Sequence, residues 1–264
     1  MKAEELLQAG RVEESLAALQ EAVRKDAADP RLRVFLFQTL SVLGQWQRAL
    51  NQLEVLAGMG SDHMMLARIF QPVVQCEVLR GQVFAGAHTP IVFGEPAPWM
   101  SWLIQANELM AQGKFNAARE LRDKAFEAAP ASAGKVNGKS FEWIADADPR
   151  LGPMLEAIVE GRYFWIPFFR IKLVHFEAPT DLRDLVWAPA QFVWANGGEA
   201  SGHIPTRYPG TDSAGNDQLR LARKTEWIEH EEGYSLGLGQ RILATDNEEF
   251  PLLECRTIDF APAA

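Results

Sequence analysis

Little in this sequence could carry covalent, redox or metal chemistry. Cysteine is nearly absent, with only Cys76 and Cys255. Two isolated thiols form no disulfide framework and no paired metal spacing, and they suit a reducing compartment. His63, His88, His175, His203 and His230 lie too far apart for the close histidine pairs of a zinc site. Positive charge is also in short supply. The chain of 264 residues has 26 Lys and Arg against 35 Asp and Glu, a net charge of −9. No basic stripe is present, which argues against nucleic acid and anionic membrane as partners. No uninterrupted apolar run approaches the roughly 18 residues a membrane span needs. The first residues form an acidic amphipathic stretch without the apolar centre of a signal peptide. The expectation is a cytoplasmic protein without membrane insertion.

Catalytic motifs are equally sparse. Gly237-Leu238-Gly239-Gln240 lacks the third glycine and the lysine of a phosphate loop and reads as a turn. Ser201 and Ser213 sit in no nucleophile elbow. Cys76 falls in a helical stretch and reads as buried and inert. Glu142, Asp146 and Asp148 crowd the segment F-E-W-I-A-D-A-D-P. Clustered carboxylates can bind a divalent cation or act as acid and base, which leaves a metal-dependent enzyme as an alternative reading. A capping or solvated role fits them better, and we expect no enzyme activity, cofactor or metal.

What the chain has instead is an echo. A-G-R-V-E-E-S-L-A-A-L-Q at 9–20 returns as L-G-Q-W-Q-R-A-L-N-Q-L-E at 43–54, a period of 34 residues. That is the period of the tetratricopeptide repeat, a helix-turn-helix unit. Gly10 and Gly44 mark the turns, where a positive φ is often needed. Trp102, Gly113, Phe115, Ala118, Ala125 and Pro130 fit the same pattern in a third copy. Between the second and third copies lies a degenerate unit. Residues 64–85 read as one helix, and the Pro- and Gly-rich stretch 86–98 as a loop in place of its partner. The remaining helices are expected at 3–9, 12–25, 31–43, 46–58, 99–111 and 115–128, with no strands in the first hundred residues.

Beyond residue 130 the character changes. Residues 130–140 read as a linker or hairpin turn around Asn137-Gly138. A helix is expected at 150–160. Strand-like runs come after it at 162–166, 170–176, 184–194, 219–228, 240–245 and 251–258. The fold class is therefore α+β. A tetratricopeptide-like helical domain over 1–132 should precede a mixed domain over 133–264, built on an antiparallel sheet or barrel.

Several segments together resemble the TagJ/ImpE (SciE-type) family of type VI secretion system accessory proteins. They are the repeats at 3–25 and 33–53, P-I-V-F-G-E-P at 90–96, and F-E-W-I-A-D-A-D-P-R-L-G-P at 141–153. G-R-Y-F-W-I-P-F at 161–168, D-L-R-D-L-V-W at 181–187 and I-P-T-R-Y-P-G at 204–210 complete the set. The resemblance implies a non-enzymatic adaptor. Its partner would be the small contractile-sheath subunit, TssB-like, bound through a helix, with a link to the ClpV-type recycling ATPase. A purely structural oligomerisation subunit is the other non-catalytic reading.

Tetratricopeptide stacks bind helices or extended peptides in a groove lined by each unit's first helix. Counting from Gly44 and Gly113, the groove positions are Arg31, Val34, Gln38 and Ser41, then Met100, Leu103, Asn107 and Met110. A second candidate contact is the pair Arg207 and Tyr208, residue types common at interfaces.

Overall fold

The computed structural model describes residues 2–230 and 234–261. Seven helices come first: α1 (Ala3–Gln8), α2 (Val12–Lys25), α3 (Pro30–Val42), α4 (Trp46–Ala57), α5 (Ser61–Phe84), α6 (Pro98–Ala111) and α7 (Phe115–Ala128). Their start and stop signals are local. The Asp29 side chain accepts from the Arg31 backbone N–H at 2.9 Å and caps α3, with Pro30 in the first turn where its missing donor costs nothing. Gly10, Gly44 and Gly113 adopt φ of 74°, 67° and 74°, the left-handed conformation each inter-helix turn requires. Val12, Leu16 and Leu19 point inward from α2 at helical spacing while its acids face water. The pairs α1–α2, α3–α4 and α6–α7 pack against each other as the repeat predicts, and α5 stacks against α4. The loop after α5 differs from expectation. It holds a two-residue strand, β1 (Ile91–Val92), so the first hundred residues are not wholly helical.

The rest of the chain is mainly sheet. Its strands are β2 (Gly134–Val136), β3 (Lys139–Phe141), β4 (Ile144–Asp146), β5 (Met154–Val159), β6 (Arg162–Pro167), β7 (Ile171–Phe176) and β8 (Trp187–Trp194). They continue as β9 (Glu199–Pro205), β10 (Thr225–His230), β11 (Tyr234–Gly239), β12 (Ile242–Thr245), β13 (Glu249–Pro251) and β14 (Thr257–Phe260), with a short helix α8 (Asp217–Arg220) before β10. Nine strands make one sheet in the order β1-β6-β5-β9-β8-β7-β14-β2-β3. Every pairing in it is antiparallel except β1 with β6. A three-stranded sheet runs β13-β12-β4, and β10 and β11 form a separate hairpin.

The structure corrects three readings of the sequence. The helix expected at 150–160 is a turn followed by β5, all six of whose residues are buried. A run with no exposed position has no periodicity to distinguish strand from helix. The run at 184–194 begins as a 3₁₀ turn over Leu182–Leu185 before β8. The run at 219–228 splits between α8, capped by the Asn216 side chain, and β10. Asn137-Gly138 does form a hairpin turn, joining β2 to β3 with φ of 50° and 84°.

The helices and the sheet share a core. One apolar cluster runs from Val12 and Leu16 through Phe37, Leu53 and Val74 to Trp165, Trp187 and Leu221. A second lies within the sheet region and includes Phe141, Ile166, Phe192, Leu243 and Ile258. Between them sits a buried ionic network. Arg80 of α5 donates to both oxygens of Glu156 at 2.6 and 2.9 Å. Arg241 pairs with the same carboxylate at 3.2 Å and with Asp146 at 2.6 Å. Glu77 of α5 accepts from the Trp187 indole N–H at 2.9 Å. Charges this deep are stable only when paired and hydrogen-bonded, so the network fixes how α5 sits on the sheet.

Candidate protein-interaction site

A cleft of about 560 Å³ opens on the first helices of the stack. Leu32, Val34, Phe35 and the buried Gln38 of α3 line it, with Glu4 of α1, Arg31, His63 and Asp181 around them. The residues of α3 spaced by three or four share this face because a helix repeats every 3.6 residues. Arg31 is the most open of them, its side chain 88% exposed and paired with Asp29 at 2.9 Å. The Asp29 carboxyl is held below its usual range by the hydrogen bond from Arg31. Gln38 closes the far end, donating from Nε2 to Asp181 at 3.3 Å. Apolar side chains with a few polar groups around them can accept one face of an amphipathic helix.

Arg31, Val34 and Gln38 all line this cleft, but only Arg31 and Val34 are open to solvent, since Gln38 is buried against Asp181. Ser41 does not join them. It is fully buried, and its hydroxyl donates back to the Phe37 carbonyl at 2.9 Å. The later set departs further: Met100, Leu103, Asn107 and Met110 are all buried. Asn107 donates from Nδ2 to the Val83 carbonyl at 2.8 Å, tying α6 to α5. Met110 packs with Ala118 and Tyr234 under the β10–β11 hairpin. Here the groove face is covered by the chain's own α5 and sheet, so these residues are buried in the fold.

Arg207 and Tyr208 are interior as well, 5% and 1% exposed, which corrects the reading of their segment as an exposed contact loop. The Arg207 guanidinium donates to the carbonyls of Val42 and Arg220, both at 2.7 Å, and of Ser41 at 3.3 Å. It therefore satisfies carbonyls at the C-terminal ends of α3 and α8, where a cation is favoured. The Tyr208 hydroxyl accepts from the Ile242 N–H at 3.0 Å. Its ring lies so close to Gly237 that a Cβ there would come within 2.3 Å.

The carboxylates of the acidic segment point different ways. Asp146 binds Arg241, and Asp148 binds Arg150 at 2.6 Å and the Gly237 N–H at 2.9 Å, while Glu142 is exposed. The first two anchor arginines and a turn, so they do not converge on a common cation. Burial pushes the Cys76 thiol up to about 11, away from nucleophilic reactivity.

Glu4, Leu32, Phe35, His63 and Asp181 of the cleft escaped the sequence reading. Glu4 lies one 34-residue period before Gln38, so the repeat could have supplied it. Asp181 reaches the cleft from the sheet side, and no local signal connects it to α3.

The architecture defines a class, a tetratricopeptide-type helical stack fused onto a mainly antiparallel sheet. Comparison with known proteins narrows it. The tetratricopeptide repeat model matches residues 6–69, and the model of the ImpE protein family matches residues 138–259. The type VI secretion system accessory component TagJ of Pseudomonas aeruginosa is 47% identical over 262 residues, covering 99% of this chain and 92% of that protein. The crystal structure of protein VPA1032 from Vibrio parahaemolyticus superposes with a TM-score of 0.90 at 25% identity, covering 98% of this chain and 97% of that one. The chain belongs to the TagJ/ImpE family of type VI secretion accessory proteins.

Proposed function

We propose that this protein is a non-enzymatic cytoplasmic adaptor that uses the cleft over α1 and α3 to hold a helix of the small contractile-sheath subunit, TssB-like. Holding that subunit would bring the sheath to the ClpV-type ATPase that recycles it. The observation that supports the reading most is the cleft itself. It combines apolar and polar side chains and is built from first-helix positions of the repeat, the positions tetratricopeptide stacks use for peptides. Membership of a type VI secretion accessory family supports a protein partner within that system.

The test is a double substitution at the open end of the cleft, Arg31→Glu with Val34→Lys. Arg31 is exposed and Val34 only half-buried, so the fold should tolerate both. Binding to the isolated sheath subunit should weaken by at least about tenfold, or roughly 1.4 kcal/mol, at an unchanged melting temperature. Wild-type affinity in the double variant would place the contact elsewhere.

A further inference from the structure

The cleft on α3 is shorter than the repeat that builds it. A helix laid into a groove anchors itself through positions spaced by three, four and seven residues. Arg31, Val34 and Gln38 supply that spacing on α3, over about 10 Å of axis at roughly 1.5 Å per residue. The part open to solvent, Arg31 to Val34, is less than half of it. The remainder is covered by a piece of the same chain.

The cover is the 3₁₀ turn Leu182–Leu185 with Asp181 in front of it, packed against α3. Asp181 meets Gln38, which is left 5% exposed. The turn is assembled from its own groups. The Asp184 carboxylate accepts from the N–H groups of Thr180 at 2.9 Å and Asp181 at 2.8 Å. The Asp184 N–H donates to the Asp181 carbonyl at 3.0 Å, and Asp181 pairs with Arg183. The chain is pinned to the sheet region on either side. The Glu177 N–H donates to the Pro189 carbonyl at 3.0 Å, and the Leu185 carbonyl accepts from the Thr206 hydroxyl at 2.6 Å. Between these pins, residues 178–184 make no backbone hydrogen bond to the backbone of α3 or α5.

The ties from this turn to the helices are weak. Gln38 donates to Asp181 at 3.3 Å, at the long end for a hydrogen bond. The Arg183 guanidinium lies 4.9 Å from the centre of the Phe70 ring of α5. Leu182 and Leu185 are only partly buried against the shared core. One group gains from release. Arg183 Nε is buried without a hydrogen-bond partner, and a donor in that state carries a desolvation cost. A segment with few buried apolar contacts and a self-contained hydrogen-bond set opens at a small fraction of the cost of global unfolding.

We infer that residues 178–184 form a strap over the second half of the α3 groove face, which swings aside about Glu177 and Leu185 to admit the partner helix. Opening uncovers Gln38 beside Arg31 and Val34 and lengthens the groove by one helical turn. The Gln38 amide, released from Asp181, then hydrogen-bonds the incoming chain, and the partner's apolar face replaces Leu182 against α3. The strap deepens the reading of the cleft as the partner site and rests on it. It also makes the groove selective, because a binder's apparent affinity is reduced by the fraction of protein that is closed.

The experiment uses the full chain, and its first arm needs no partner. Gln38→Cys places a thiol under the strap. In the folded protein that thiol should react with N-ethylmaleimide, while the buried Cys76 and Cys255 stay unlabelled until the chain is denatured. Protection of the introduced thiol equal to theirs would overturn the inference. The second arm measures binding of the isolated sheath subunit. Asp181→Ala cuts the tie from the strap side and should tighten binding at least about threefold, since more of the protein is then open. Bridging Gln38→Cys and Asp181→Cys with a short dimaleimide should weaken binding at least about tenfold relative to the same double variant before cross-linking. Unchanged binding on cross-linking would overturn the strap. Weaker binding in Asp181→Ala at an unchanged melting temperature would do the same, by making Asp181 a direct contact. A wild-type chain that does not bind the subunit would remove it as the partner, and the labelling arm would then decide the strap alone.

Discussion

The helix pairs α3–α4 and α6–α7 share one repeat pattern and end up with opposite surfaces. In α3 the groove positions Arg31 and Val34 stay open and Gln38 sits at the end of a cleft. In α6 the equivalent positions Met100, Leu103, Asn107 and Met110 are shut inside the protein. The difference arises from the next stretch of chain in each case. After α4 the stack continues with α5, whose side faces the sheet. After α6–α7 the chain turns into β2 and returns as the β10–β11 hairpin, whose Tyr234 packs with Met110. A repeat pattern therefore dictates how two helices pair, and the tertiary neighbours decide which of their faces remains for a partner.

The sharpest way to break the comparison is to loosen the layer that closes one face and leaves the other open. That layer depends on Glu156, fully buried between Arg80 and Arg241. The two arginines hold the Glu156 carboxyl below its usual range against the opposing effect of burial. Glu156→Gln keeps the shape and leaves two buried cations short of a counter-charge. The expected loss is about 3–5 kcal/mol in urea denaturation. A loss below about 1 kcal/mol would mean that water already reaches the network.

Acid titration compares a buried group of the sheet with one at its junction with the helices. Burial pushes the Asp146 carboxyl up to about 6, only partly offset by Arg241. The folded state then binds that proton more tightly than the unfolded chain, so this group's contribution falls as pH rises from about 4 to about 6. His203, packed edge-on against Phe70 of α5, behaves oppositely. Burial lowers it to about 4, with Asp184 opposing the shift. Its stabilising contribution is complete above the ordinary histidine value of about 6.5 and is lost as pH falls towards about 4. Each effect amounts to roughly 2–3 kcal/mol across its window. Asp146→Asn should make stability climb more steeply with pH over that range, and His203→Gln should flatten or invert the slope. Parallel pH–stability curves for wild type and both variants would refute the assignment.

The sequence made the helix pairs readable because their faces alternate against water. Gly10, Gly44 and Gly113 add turn signals at the repeat's own spacing. The sheet region was less readable where exposure stops alternating, as in β5. Arg207 shows the limit for the site. Its residue type suggested a contact, but whether a guanidinium faces water or the carbonyls of Ser41, Val42 and Arg220 depends on segments far away in the chain. Asp181, similarly, meets Gln38 only through the fold. The cleft on α3 was legible for the opposite reason, since most of its residues come from helices of one period.

The finest test of the comparison is one substitution in each helix pair at the same kind of position. Asn107→Ala removes the bond from Nδ2 to the Val83 carbonyl and leaves that carbonyl buried without this donor. An unsatisfied buried acceptor costs about 1–3 kcal/mol, and the shortened side chain adds a small cavity. Part of that cost is already present, because Asn107 Oδ1 is buried without a partner and its removal relieves a desolvated group. The expected loss therefore sits near the lower end of the range. Arg31→Ala removes only an exposed ion pair to Asp29, which water and salt already screen. Its effect on the melting temperature should fall within experimental scatter. Equal losses in the two variants would show that the closed and open faces differ in exposure but not in structural role. A larger loss at Arg31 would place a hidden structural function in the cleft and remove it as a free docking surface.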